Sequence, residues 1–226
     1  MFPDINEYFY TLKVPPSAMD KLWAAGWRHF GALFFRYSRF FDGVVDLTIV
    51  PLRINVNFFR LSKSQRRIIR KNQDLKLKIQ RPVIDDQRKI LFEHHKTRFK
   101  TNPPESLDMY LGGELIHDFV CKTLEFSVWL GDRLLAASYL DIGENSTSSI
   151  YAMFDPAFSK RCLGIYTMLL EIEYSKNNGF LYYYHGYTAV EPSAYDYKKH
   201  FSALEFYDWN SGKWKVYDKE KGFIFD

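Results

Sequence analysis

The 226-residue chain is poor in cysteine, with only Cys121 and Cys162. Two such widely spaced thiols build no disulfide framework, and the usage is that of a reducing compartment, so the chain reads as cytoplasmic. No apolar run approaches the ~18 residues of a membrane-spanning helix, so no membrane partner is expected. The opening MFPDINEYFYTLK has neither the basic nor the apolar region of a secretory signal. Histidines at 29, 94, 95, 117, 185 and 200 show no metal-ligand spacing with the cysteines. No metal site, no metal cluster and no cofactor are therefore expected. Repeats and low-complexity tracts are also missing. A hydrophobic content of 46% and an aromatic content of 18% suit a packed globular protein, one large domain or two small ones fused.

The most informative absence is local. Residues 47–73 contain no acidic side chain, yet carry seven cations: Arg53, Arg60, Lys63, Arg66, Arg67, Arg70 and Lys71. The last five follow i, i+3, i+4, i+7 and i+8 spacing, which gathers them into an arc of roughly 140° on one helix face. Ile68 and Ile69 fall on the opposite side, where they can pack inward. Like charges this close repel, so the stripe is either a solvated face or the seat of a polyanion. Charge is also polarised along the chain. Residues 1–100 hold 20 Lys+Arg against 9 Asp+Glu, net +11; residues 101–226 hold 11 against 18, net −7; together they give +4. The sign changes at Asn102-Pro103-Pro104, which divides a basic region, 1–102, from a second region, 103–226.

Local patterns predict a helix over 17–25 with Ser17 as N-cap and Gly26 as its stop. Strands are expected at 32–35, 47–58 and 75–79, and a further helix over 85–100. Either Ser62 or Ser64 caps the basic helix. Beyond the boundary, 124–130 and 133–141 read as a β-hairpin about Gly131-Asp132. A strand over 149–154, a helix over 163–177 ended by Gly179, and a strand over 180–187 imply a right-handed parallel crossover. A short helix near 193–200 and strands near 204–209 and 213–217 follow. This order resembles the α/β (α+β) N-acetyltransferase-like (GNAT) fold, a mixed sheet with flanking helices, here fused to the basic N-terminal region.

The segments GWRHFGALFFRY (26–37), PLRINVNFFRLSKSQRRIIRKNQDL (51–75) and IYAMFDPAFSKRCLGIYTMLLEIEYSKNNGFLYYYHGY (150–187) carry a more specific likeness. With Tyr197-Lys198 and Phe201 behind them, they resemble the aminoacyl-tRNA–protein transferases, arginyl- and leucyl-transferring, in colinear order over nearly the whole chain. The resemblance implies an enzyme that moves an amino acid from its tRNA ester to the N-terminal amine of a protein or peptide, marking it for degradation. It names tRNA as the polyanion for Arg66, Arg67, Arg70 and Lys71, with Ser64, Gln65 and Arg53 close by. Arginine is slightly preferred as donor because the acidic half suits a cationic side chain; leucine stands close behind. The family's cysteine cluster is missing from 38–50, and Ser127, His185 and Thr188 stand where arginine, leucine and tryptophan are usual.

Aminolysis of an ester needs positioning, oxyanion stabilisation and a proton acceptor rather than a nucleophile. Asp155 is either that acceptor or the start of an Asp-Pro turn. Arg161 and Gly164 either hold the tRNA end at a helix N-terminus or merely begin the helix. Tyr187 and Tyr197 line the aminoacyl pocket or the core, and Lys198 reaches phosphate or water. Cys162 is a weak nucleophile candidate, and His94-His95 reads as a solvated pair. A small-molecule acceptor, a non-catalytic tRNA-binding role and an acetyltransferase using acyl-coenzyme A remain the alternatives.

Overall fold

A computed structural model of the chain describes residues 3–41, 43–99, 103–112 and 119–226. β1 (Asn6–Tyr10), β2 (Arg28–Phe30) and β3 (Leu33–Tyr37) form a small antiparallel sheet in the order β1-β3-β2. A large mixed sheet runs β12 (Lys213–Val216), β11 (Leu204–Asp208), β5 (Asp46–Asn55), β10 (Tyr182–Ala189), β9 (Ser146–Phe154), β8 (Arg133–Ile142), β7 (Thr123–Leu130), β6 (Lys76–Gln80). β4 (Arg39–Phe41) pairs with β5 off this path. Among the described residues only β9 and β10 are parallel, joined by α5 (Leu163–Asn177) as the predicted crossover. The β7–β8 hairpin turns at Gly131, whose φ of +58° favours glycine.

Helices cover both faces of this sheet. α5 packs Met168, Leu169 and Ile172 into a cluster with Phe126, Leu140 and Tyr183. α3 (Asp86–Lys96) packs Leu91 and Phe92 against Leu134, Ala137, Tyr139 and Met153. Tyr139 and Leu140 follow one another on β8 and so point to opposite sides. β5 lies between β10 and β11 with Val50, Leu52 and Ile54 fully buried, so sequence from both sides of position 102 shares one sheet. Asn102 itself, within the expected boundary, lies outside the described residues. No helix among the described residues is long and apolar enough to cross a membrane.

Three local expectations are corrected. α1 (Pro16–Ala24) is not capped by Ser17: Pro15 occupies the cap position without a side-chain bond, and Pro16 begins the helix with its preset φ. The segment expected to be helical near 193–200 closes only a 3₁₀ turn, Asp196–His200. α3 ends at Lys96, short of position 100.

α2 (Lys63–Lys71) is the basic helix. Ser62 caps it: its hydroxyl accepts from the Gln65 N–H (3.2 Å) while Gln65 Oε1 accepts from the Ser62 N–H (2.8 Å). Ile68 and Ile69 pack against the core, and Lys63, Arg66, Arg67, Arg70 and Lys71 are exposed. Its C-terminal end is clamped to the turn before α5. Buried Asn72 donates through Nδ2 to the carbonyls of Ile68 and Arg161, both at 3.0 Å, and Arg161 pairs with Asp74 through two bonds of 2.8 Å. Asn72→Ala is expected to cost about 1–2 kcal/mol, because it strips the half-buried Arg161 carbonyl of its donor. Chemical denaturation checks this; an unchanged midpoint means the clamp is dispensable.

Candidate active site

The ladder between β9 and β10 is short. It pairs Tyr182 with Ser146, Tyr183 with Thr147 and Tyr184 with Ser148, then ends, although β9 continues to Phe154 and β10 to Ala189. Both strands are irregular at this point. The register of β10 on β5 shifts between Tyr184 and Gly186, leaving His185 extra, and that of β9 on β8 shifts between Ser149 and Tyr151, leaving Ile150 extra. Bulges bend the strand that carries them, and the two strands part as a fork.

Arg28, on β2, sits in the fork. Its Nη1 donates to the Ser148 hydroxyl on β9 and the Tyr184 carbonyl on β10, and its Nη2 donates to the Ser149 carbonyl. Lys198 enters from the other side, its ammonium turned inward to donate to the Tyr187 carbonyl (2.9 Å). Gly186 admits both: an added Cβ would lie 3.0 Å from Lys198 Nζ and 3.9 Å from Arg28 Nη2. Burial, with Arg28 nearby, brings the Lys198 ammonium down to about 7, and burial lowers Arg28 as well. Buried His185 is held well below its usual range by desolvation and then by Lys198, and both its ring nitrogens lack a partner. On α5, Glu171 is pushed up to about 7 by burial and accepts from the Tyr183 hydroxyl at 2.6 Å.

The rim of the fork is aromatic. Tyr37 and Phe35 set their rings edge-on to Tyr187, at 5.1 and 6.3 Å between centroids. They also line an open groove of about 500 Å³ with Phe30, Leu33 and residues of β1. The Tyr187 hydroxyl donates to the Gly26 carbonyl (2.6 Å), and burial raises it well above its usual value.

Several predicted site residues have other occupations. Asp155 accepts from the Ala157 N–H (2.9 Å) and pairs with Arg133 (2.6 Å), which is the turn reading. Arg161 is held by Asp74, and a Cβ on Gly164 would come within 3.1 Å of the Phe154 ring, so this pair begins and packs a helix. Arg53 pairs with Glu205 (2.6 Å) between the rings of Tyr182 and Trp214. Gln65 is buried in its capping box, and Ser64 bonds the cap hydroxyl. Lys198 is half-buried and turns its ammonium into the fork. Tyr197 is partly exposed, Cys162 is exposed at φ +54°, and Thr188 and Ser127 are buried in the sheet. His94 is exposed but His95 is buried against the Phe154 backbone, so the pair is not solvated as a unit.

Arg28, His185 and Glu171 are not linked as a group by the sequence, since no spacing along the chain relates them. His29, Cys121 and Asp141, which linear spacing kept apart, also lie together with donor atoms within 4.8 Å of one another. His29 Nδ1 donates to the Gly31 carbonyl (2.9 Å), its Nε2 lies 2.5 Å from Asp141, and Thr123 donates to the other carboxylate oxygen (2.7 Å). His29 and Asp141 are thus bonded to each other and to Gly31 and Thr123.

A family model described as "Arginine-tRNA-protein transferase, C terminus" matches residues 84–208. An aspartate/glutamate leucyltransferase of Helicobacter hepaticus is 29% identical over 210 residues, covering 89% of this chain and 83% of its own length. Another, of Campylobacter jejuni, is 29% identical over 208 residues, covering 88% and 83%. A third, of Xanthomonas oryzae, is 30% identical over 166 residues, covering 70% and 66%. The preference for arginine as donor finds no support here, because these relatives are named for leucine. The solved structure of FemX is 12% identical, with a TM-score of 0.49 over 78% of this chain and 61% of that chain, a likeness too slight to carry the fold or the function.

Lys198→Met removes an ammonium that folding brings from 10.5 to about 7. Between those values the unfolded chain binds a proton that the folded chain does not, so the wild type gains stability as pH rises through this window and lacks that gain below it. The variant is expected to melt above the wild type at pH 6, with the advantage shrinking by pH 9. Melts at the two pH values test this, and a lower melting temperature at pH 6 counts against an inward-turned ammonium. Asp155→Ala is expected to cost about 1–2 kcal/mol as a lost cap while the folded fraction turns over at a near-normal rate. A stable but inactive variant would restore the proton-acceptor role.

Proposed function

The chain belongs to the aminoacyl-tRNA–protein transferase family and is an aminoacyltransferase, and from that premise we propose that it moves leucine from tRNA to the N-terminal amine of a protein that begins with an acidic residue. The observation that carries this reading is the fork, which holds two inward cations under an aromatic rim. A guanidinium donor would meet like charge there, whereas an aliphatic side chain suits the rings of Phe35, Tyr37 and Tyr187. Leucine is also the amino acid in the relatives' names. The hairpin β7–β8, then β9, α5 and parallel β10 with a parting ladder, supports an N-acetyltransferase-like reading of the sheet. Within it we keep residues 1–102 as the basic region and 103–226 as the acetyltransferase-like region, with the fork built from both.

α2 holds the tRNA acceptor arm through phosphates, without reading bases. Lys63, Arg66, Arg67 and Arg70 face outward, while Lys71 Nζ bonds the Lys160 carbonyl (2.6 Å) in the turn that follows the open end of β9. The charged end of tRNA then reaches the fork. β9 beyond Ser149 has no β10 partner, and its free backbone edge can face the tetrahedral oxyanion. The attacking amine loses a proton, the ester C–O bond breaks, and the departing ribose oxygen gains that proton, so no acid or base is consumed. Tyr187 contributes its ring rather than its engaged hydroxyl, and Asp155 takes no part in proton transfer. Charged tRNA as donor places the reaction in the cytoplasm.

The test is mass spectrometry of peptides beginning with Asp, Glu, Asn or Ala after incubation with charged total tRNA. A leucine adduct on the acidic peptides is expected. An arginine adduct would replace the donor, and no adduct on any peptide would overturn the reading. Arg66→Ala with Arg67→Ala is expected to weaken tRNA binding and flatten its log–log salt dependence by up to roughly two units. An unchanged slope would remove α2 from the tRNA site.

A further inference from the structure

Arg28 and Lys198 are two inward-turned cations held only by neutral acceptors. Neither has a carboxylate within 4.0 Å among the described residues. Of the nearby carboxylates, Asp141 is engaged by His29 and Thr123, while Glu171 accepts from Tyr183 through Oε2 and its Oε1 has no hydrogen-bond partner among the described residues. A charge drawn out of water without a counter-ion is costly, and the protein keeps buried Arg28 and half-buried Lys198 together at Gly186. Donor capacity is also left over. A guanidinium has five N–H groups and an ammonium three. Three of Arg28's bonds are made, to Ser148, Ser149 and Tyr184, and one of Lys198's, to Tyr187. Four N–H groups thus remain for a ligand that must be an acceptor and an anion.

We propose that Arg28 and Lys198 together form the receptor for the carboxylate of the acceptor's first side chain. The proposal deepens the transferase reading and rests on it: the pair fixes which residue may stand at the acceptor's N-terminus. A planar carboxylate accepts at both oxygens, so it can engage one donor from each cation at once. An amide of the same shape cannot, because one of its two heads is itself a donor and would face four N–H groups. A donor-only site rejects that isostere strongly. His185, neutral and unpartnered beside the pair, adds no competing negative charge. A carboxylate held here brings the α-amine of the same residue, one or two methylenes away, into the fork where β9 and β10 part. Recognition and delivery of the amine are then a single event.

The experiment measures fluorescence-anisotropy binding of labelled peptides, identical except for a first residue of Asp or Asn, to the full chain without tRNA, and transfer to the same peptides separately. Wild type is expected to favour the Asp peptide by about 10²-fold or more. Lys198→Met is expected to bring that ratio to within about tenfold of one, and Lys198→Arg to retain most of it. The methionine variant needs no surviving Arg28 contact to fold, so it keeps the test open if Arg28 variants fail to fold. An unchanged ratio in Lys198→Met, or a wild type that binds both peptides alike, overturns the proposal. So does a variant whose ratio holds while its affinity for uncharged tRNA falls, since the cations then serve phosphate. A binding preference without transfer instead sinks the transferase reading and leaves the carboxylate receptor standing.

Discussion

Arg28 ties together the two strands that it keeps apart. At the last rung of the β9–β10 ladder its guanidinium bonds the Ser148 hydroxyl and Ser149 carbonyl on one strand and the Tyr184 carbonyl on the other. Backbone polar groups buried beyond that rung need partners, and a planar group with five donors supplies several of them without closing the gap. The extra residues His185 and Ile150 bend the strands at the same level. The fork, its inward lysine and its aromatic rim all follow from the pairing stopping where it does. Arg28 reaches this position because β2, in the small sheet, lies over the large one, so the small sheet is part of the site's architecture.

The cations divide by environment rather than by residue type. Arg53 and Arg161 are closed into carboxylate pairs, by Glu205 and Asp74, and act as scaffold. Arg161 and Asn72 pin α2 to the turn that leaves β9, which sets its basic face at a fixed offset from the fork. Among the described residues Lys63, Arg67 and Arg70 have no such pair, and their mutual repulsion is tolerable because they face water. Arg28 and Lys198 are the reverse case, turned inward without a counter-ion among the described residues. The outward set suits a backbone of phosphates and the inward pair suits one discrete anion.

The elements with strong periodicity were legible. The β7–β8 hairpin, the α5 crossover and the Ile68–Ile69 inner face of α2 all stand where patterning put them, because each is decided by contacts close in sequence. The cap of α1 was misassigned because two prolines set its backbone in place of a serine bond. The site was read less well. Asp155 and Gly164 looked chemical because motif residues at strand ends often are, but their partners, Arg133 and the Phe154 ring, are what occupy them. Arg28 carried no local signal: it is a single arginine after Trp27, and its partners lie 120 or more residues away.

By itself, then, the sequence determined the basic helix, the strand–helix–strand core and the family resemblance, since charge spacing and hydrophobic period are properties of neighbouring residues. The tertiary structure alone decided which cations face outward and which face the fork. It also decided that Tyr187 offers a ring rather than a hydroxyl, and that His29, Cys121 and Asp141 meet. A side chain's chemistry depends on its distance to partners and its access to water. Both are set by where strands stop pairing, which no window of neighbouring residues records.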